Sequence, residues 1–237
     1  MTRLFCVEAS ELARSDEFTE IQHFRRLAGE VARGACSIDE LAAEPLGDEV
    51  VTRVRDYGKR LHICGALGND TTVEEIAQLV SRRRGEAAVF IDYLQKIPEV
   101  SQDESAISRT NPVAEQLKEI AMRHVVAVIA IAATDRSGLD ARRLHLQHLG
   151  GTCAIAHEAD IAIVMNEKSA VVAKSHLAFD SVRAETFSRK VVLSIEKNRG
   201  GPSGLDLEFE KDLANFRFLP NGGFVNERLI DEVLVLE

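Results

Sequence analysis

The stretch Ala88-Val89-Phe90-Ile91-Asp92-Tyr93-Leu94-Gln95 decides how the rest of this chain is read. Four apolar residues, two of them β-branched, run into one acid. The run is too short for a core helix and has the composition of a buried strand. An unbroken apolar strand, rather than an alternating one, suits a sheet covered by helices on both faces. Working outward, Asn111-Pro112 offers an N-cap followed by proline at the first helical position, so a helix is expected to about His124. Val125–Ala133, Ile161–Met165 and Val191–Ile195 are further strands. Strands alternating with helices predict an α/β fold with a mostly parallel sheet flanked by helices and right-handed crossovers.

Toward the N-terminus, Leu4–Val7 reads as a strand ending in Glu8. Residues 10–33 carry apolar positions at helical spacing. Ser37 with Glu40 and Thr71 with Glu74 are capping-box matches that open helices, and residues 48–58 resemble another helix. Leu61–Cys64 is a strand candidate. Residues 98–111 and 134–151 are polar and loop-like, Gly200-Gly201-Pro202-Ser203-Gly204 is a turn, and Leu205–Phe209 alternates like an edge strand. No repeat or linker divides residues 1–237, which read as one domain with a C-terminal tail over 220–237.

The chain has 237 residues, 45% of them hydrophobic, enough for a substantial core. Its net charge of −9 argues against indiscriminate adhesion to nucleic acid but leaves room for a local basic strip. Cys6, Cys36, Cys64 and Cys153 form no CxxC pair, so neither structural zinc nor a disulfide framework is expected; three of the four sit beside apolar residues, so buried free thiols and a reducing compartment are. His145 and His148 lack third and fourth partners for a metal. Glu8 interrupts the N-terminal apolar run and Val125–Ala133 is far too short to span a bilayer, so a soluble, cytoplasmic protein without membrane partners is expected.

In open parallel sheets, ligands collect outside the carboxyl ends of the strands. The polar residues there are Glu8, Asp92 and Thr134-Asp135-Arg136. An apolar strand closed by an acid is the Walker B pattern, in which a carboxylate holds the Mg²⁺ of a bound nucleotide through water. The longer string Asp92-Tyr93-Leu94-Gln95 resembles the Walker B segment of the DnaB replicative helicases. Other segments follow in that family's order. Phe5-Cys6-Val7-Glu8 resembles the strand whose acid polarises the attacking water. Val125–Arg136 resembles the next strand and its sensor loop, and Leu149–Asp160 with Ile161–Met165 the turn and strand after it. Lys197-Asn198-Arg199-Gly200-Gly201-Pro202 resembles the Lys-x-Arg segment that reaches the γ-phosphate held by a neighbouring subunit.

The resemblance implies a RecA-like P-loop NTPase fold of the small, single-domain DnaB-like kind. It implies ATP and Mg²⁺ as cofactors, with Glu8, Asp92, Lys197 and Arg199 catalytic. Asp92, Thr134, Lys197 and Arg199 would touch the nucleotide or its metal. It also implies single-stranded DNA as a partner, contacted by Arg136, Arg142 and Arg143, and a homo-oligomer in the form of a hexameric ring. The implied activity is that of an ATP-dependent DNA helicase or translocase acting in replication.

Four departures stand against the pattern. No GxxxxGK[ST] loop occurs in the sequence, and the only Gly-Lys dipeptide, Gly58-Lys59, lacks the earlier glycine. The Walker A strand is therefore expected to be missing from this chain, which alone should be weak or inactive as an ATPase. Ala133 occupies the place of the family's sensor glutamine, with Thr134 the substitute, and Gly150 stands where relatives often have arginine. Residues 166–190, including His176, Arg183 and Arg189, read as an inserted hairpin or loop. Two other readings remain open: a non-catalytic, degenerate RecA-like subunit that binds DNA or a partner, and a RecA/KaiC-like ATPase with another client.

Overall fold

The computed structural model describes residues 2–12, 19–65, 71–83, 85–98, 112–149, 153–173 and 181–230. They fall into two compact units. One comprises residues 1–64 and 209–222, the other 65–208 and 223–237.

The first unit is mainly helical. Helices α1 (Thr2–Leu12), α2 (Thr19–Ala32), α3 (Ile38–Ala42) and α4 (Gly47–Gly58) enclose Cys6, Ala9, Phe24, Ala28, Val31, Leu41, Val50 and Val54. The strand expected over Leu4–Val7 is thus the interior of α1. Short apolar runs do not discriminate strand from helix, and here Cys6 and Ala9, three apart, share a buried helical face. The Ser37–Glu40 capping box forms as expected. The other box is displaced by one residue: Thr72 accepts from the Glu75 amide, while the Glu75 carboxylate accepts from the Thr72 amide. Leu61–Cys64 is exposed and irregular rather than a strand.

The second unit contains α5 (Val73–Ser81), β1 (Ala88–Ile91), α6 (Pro112–His124) and β2 (Ala127–Ala130). β1 and β2 pair in parallel, Ala88 opposite Ala127 through Ile91 opposite Ala130. Val73, Ile76 and Val80 of α5 and Val113, Leu117 and Ile120 of α6 pack with Val89, Ile91, Val126 and Val128. Among the described residues the other face of this pair is open: Phe90 is 78% exposed and Ile129 is also exposed.

The chain continues through α7 (Arg136–Asp140), α8 (Cys153–Glu158), β3 (Ile161–Glu167), α9 (Lys168–Val171), α10 (Ser181–Ser188) and β4 (Lys190–Asn198). Then come β5 (Leu205–Asp212), β6 (Arg217–Phe218) and β7 (Gly223–Phe224). The larger sheet has five strands in the order β3-β4-β5-β6, with β7 also on β5. β3–β4, β5–β6 and β5–β7 are antiparallel, so the expectation of a mostly parallel sheet holds only for β1 and β2. β4 runs antiparallel to β3 after a connection that contains α9 and α10, so the length of that connection does not set the strand direction. Of the segment expected as an insertion, 168–171 and 181–188 are helical, and His176 lies outside the described residues. Part of the expected tail is structural as well: Leu229 is buried with Val171, Val172, Phe187 and Val192. No helix among the described residues is long and apolar enough to cross a membrane.

Candidate functional site

Asp92 follows β1 directly and is exposed. The chain then turns through a 3-10 turn over Leu94–Lys96, which brings Gln95 back to the end of β2. Gln95 Nε2 donates to the Ala133 carbonyl at 2.9 Å, and the Ala133 amide donates to Gln95 Oε1 at 3.1 Å. The Leu94 amide adds a 2.7 Å bond to the Ile131 carbonyl. A carboxamide carries both N–H donors and a carbonyl acceptor, which suits the C=O and N–H of a single backbone residue. Gln95 therefore laces the loop that carries Asp92 to the loop that carries Thr134. Its place in the Asp92–Gln95 string gives no local signal of that role.

The loop after β2 closes on itself. Thr134 bridges Leu149, and the Asp135 amide donates to the His148 carbonyl at 3.0 Å. Asp135 caps α7 by accepting from the amides of Ser137 and Gly138. Its carboxyl is held below the usual carboxylate value, first by the Ser137 hydroxyl and then by the Gly138 amide. Gly138 is buried within the loop, where a Cβ would lie 2.6 Å from Thr134 Cβ.

The arginines of this loop separate into two kinds. Arg136 and Arg142 are exposed. Arg143 is only 9% exposed, and its guanidinium donates to Asp206 at 2.6 Å and to the Ser194 hydroxyl at 3.1 Å. Its charge is satisfied inside the protein, so it anchors the loop and is not presented to a phosphate backbone. Composition could not separate the two neighbours, because only the tertiary fold places Ser194 and Asp206 beside one of them.

Lys197 and Arg199, at the end of β4, meet the C-terminal end of α8. Lys197 Nζ donates to the carbonyls of Ala156 at 2.6 Å and His157 at 2.8 Å. Arg199 donates to the His157 carbonyl at 2.6 Å and to Asp160 Oδ1 at 3.1 Å. Lys118 of α6 pairs with the other Asp160 oxygen. Cations at the carbonyl end of a helix meet orphan acceptors and the negative end of its dipole. Lys118 first, then Arg199, hold the Asp160 carboxyl below its ordinary value. Partial burial, then the adjacent Arg199 charge, lower the Lys197 ammonium.

Glu8 lies on α1 in the first unit, not at a strand end. Tyr57 is its neighbour: burial, then the Glu8 carboxylate that accepts its hydrogen bond, raise the Tyr57 hydroxyl above its usual value. The strand-end placement that motivated a water-polarising role is not found.

Among the described residues no cluster of three or more His, Cys, Asp or Glu side chains could hold a metal. Asp92 fits a different requirement. A single exposed carboxylate on a rigid strand end suits a Mg²⁺ ion that keeps several waters and rides on nucleotide phosphates. Cys6 is buried, Cys36 half-buried and Cys64 exposed, all free thiols, while the Cys153 side chain lies outside the described residues.

Residues 13–218 match the family described as DnaB-like helicase C terminal domain. The replicative DNA helicase DnaB of Rickettsia felis is 27% identical over 187 residues, covering 72% of this chain and 38% of the relative. That of Rickettsia conorii matches with the same identity and coverage. That of Rickettsia prowazekii is 28% identical over 150 residues, or 59% of this chain and 31% of the relative. The chain thus spans about two fifths or less of the length of these relatives. Among solved structures, a chain from "The Structure Of A DnaB-Like Replicative Helicase And Its Interactions With Primase" superposes with a TM-score of 0.58 at 18% identity, over 92% of this chain and 46% of that one. At that identity the likeness is one of fold.

Proposed function

The chain belongs to the DnaB-like helicase C-terminal domain family, and from that premise we propose that it forms the core of a DnaB-type ATP-dependent DNA helicase or translocase. Its work is to couple ATP hydrolysis to movement along single-stranded DNA in replication, in the cytoplasm. The observation that carries this reading is the Gln95 clamp, which fixes Asp92 and Thr134 on adjoining loops at the carboxyl ends of two parallel strands. Asp92 holds Mg²⁺ through water, and Thr134 senses the γ-phosphate. When bound, Mg²⁺ neutralises charge on the phosphate oxygens. Lys197 and Arg199 serve a nucleotide on the adjoining subunit of a homo-oligomeric, hexameric ring, where a planar guanidinium suits charge spread over phosphoryl oxygens. Arg136 and Arg142 contact the DNA backbone, and Arg143 positions their loop. Glu8 has no part in this proposal, since it sits on a helix beside Tyr57 and before the first family-matched residue.

The sequence contains no GxxxxGK[ST] loop to cradle the phosphates. The chain by itself is therefore expected to bind Mg-ATP weakly and to turn it over slowly. Calorimetric titration of Mg-ATP into the purified chain, with Asp92→Ala as control, tests this. Weak binding that is lost in the variant supports the reading. No heat at millimolar nucleotide overturns it for this chain.

A second reading follows from the anchoring of Lys197 and Arg199 on their own chain's α8. There they act as helix-end cations, and the chain is a non-catalytic subunit that binds DNA or a partner. Binding of single-stranded DNA without any binding of ATP would select it.

A further inference from the structure

Polar side chains on a packed sheet face need partners. On one face of the larger sheet, β3 contributes Asn166, β4 contributes Ser194 and Glu196, and β5 contributes Asp206. All four meet the same short segment, the returning limb of the loop closed by Thr134 and Leu149. Asn166 brackets Leu144, accepting from its amide at 2.7 Å and donating to its carbonyl at 3.1 Å. Ser194 and Asp206 hold Arg143. Glu196 takes two neighbours at once: Oε1 lies 2.7 Å from His145 Nδ1, and Oε2 accepts from the Leu146 amide at 2.6 Å. His148 Nδ1 completes the limb by accepting from the His145 amide at 2.9 Å.

An acid is an unexpected choice here. A loop that holds a polyanion gains affinity from each cation and loses it for each anion nearby. Glu196 therefore works against binding on charge alone, unless its geometric contribution is larger. That contribution is visible in its contacts. It is half-buried on a rigid strand and directs both carboxylate oxygens at consecutive loop residues. Arg142, the exposed cation, lies one residue before the anchored run Arg143–Leu146. Lys197 and Arg199 follow Glu196 on the same chain segment.

We propose that Glu196 is a positioning residue for nucleic-acid contact: it fixes the returning limb of the 134–149 loop and so holds Arg142 in place for a single-stranded phosphate backbone. This rests on the DNA-contact reading above. Binding then requires the anchored loop, and a loop anchored only a tenth of the time raises the apparent Kd about tenfold.

The test is binding of a fluorescein-labelled oligothymidylate to the full chain, followed by anisotropy, for the wild type, Glu196→Ala and Glu196→Gln. Both variants remove the same charge. The glutamine keeps an acceptor for the Leu146 amide. The expected order is wild type tightest, Glu196→Gln within about threefold, and Glu196→Ala weaker by about tenfold. Amide exchange at residues 143–149 should quicken in Glu196→Ala. If charge alone matters, both variants bind tighter than the wild type, and the proposal is overturned. Unchanged affinity in Glu196→Ala also overturns it while leaving the DNA reading standing. Absence of binding by the wild type overturns the DNA reading, and this one with it. Should Glu196→Ala not fold, the isosteric glutamine decides: tighter binding than wild type refutes the positioning role.

Discussion

Replacing Arg143 by alanine separates an anchoring cation from a DNA-contacting one. The Arg143 side chain is 8% exposed and its partner Asp206 21% exposed, at 2.6 Å. Breaking a buried ion pair costs about 3–5 kcal/mol, mainly because the remaining charge stays desolvated. Asp206 retains the Ser194 hydroxyl as a donor and some solvent, which places the loss at the low end, about 3 kcal/mol. In a chain of this size that lowers the melting temperature by roughly 6–12 °C. The neighbouring Arg142→Ala, at an exposed position, should change stability by no more than about 0.5 kcal/mol. The two variants should exchange places in DNA binding at rising salt. Arg142→Ala lowers the salt slope by about one, as expected for one lost phosphate contact. Arg143→Ala weakens binding with little change in slope. Thermal unfolding by far-UV circular dichroism, with anisotropy at several salt concentrations, measures both. A melting temperature for Arg143→Ala within 2 °C of wild type would mean that Arg143 is solvated, and the anchoring argument would fail.

Three further outcomes concern the same unit. Lys168 is 1% exposed, pairs with Glu208 and Glu227, and lies over the Phe187 ring at 4.5 Å. Lys168→Met removes this partner from two half-buried carboxylates, of which Glu208 keeps Lys190, and should cost roughly 3 kcal/mol in urea denaturation. Burial pushes the Glu208 carboxyl up, but Lys168 and Lys190 outweigh it and leave the group below its ordinary value. A depressed carboxyl adds stability that is full above about pH 5 and is lost as pH falls through its folded value. Wild-type stability should accordingly fall more steeply in acid than that of Lys168→Met, and parallel curves would count against the pairing. Gly138→Ala must displace Thr134, which its Cβ would approach to 2.6 Å. Overpacking of this kind costs about 1–3 kcal/mol, and unchanged amide exchange across 134–149 would contradict it.

Several elements were legible from residues alone. The helix opened by Pro112 ends at His124 as expected, because proline and apolar periodicity are local signals. The Ser37–Glu40 cap is equally local. Leu4–Val7 was not legible, since four apolar residues suit either structure and α1 is settled by packing on α2 and α4. The direction of β4 was not legible either, because it depends on how α9 and α10 return the chain. At the candidate site, Asp92 stood out through its motif. Asp160 and Glu196 carry no motif, and their roles come from partners about forty to fifty residues away.

The residues alone made the family resemblance legible: Asp92 closing an apolar strand, Thr134 after the next, and Lys197 and Arg199 in order beyond. These are short-range signals, because a strand and the residue that ends it are neighbours in the chain. Contacts across the fold join Gln95 to a second strand end, make Arg143 an anchor while Arg142 stays exposed, and bring Lys197 and Arg199 to the end of α8. Each of those outcomes depends on a desolvated polar group finding its partner across the fold, and sequence order alone does not specify that partner.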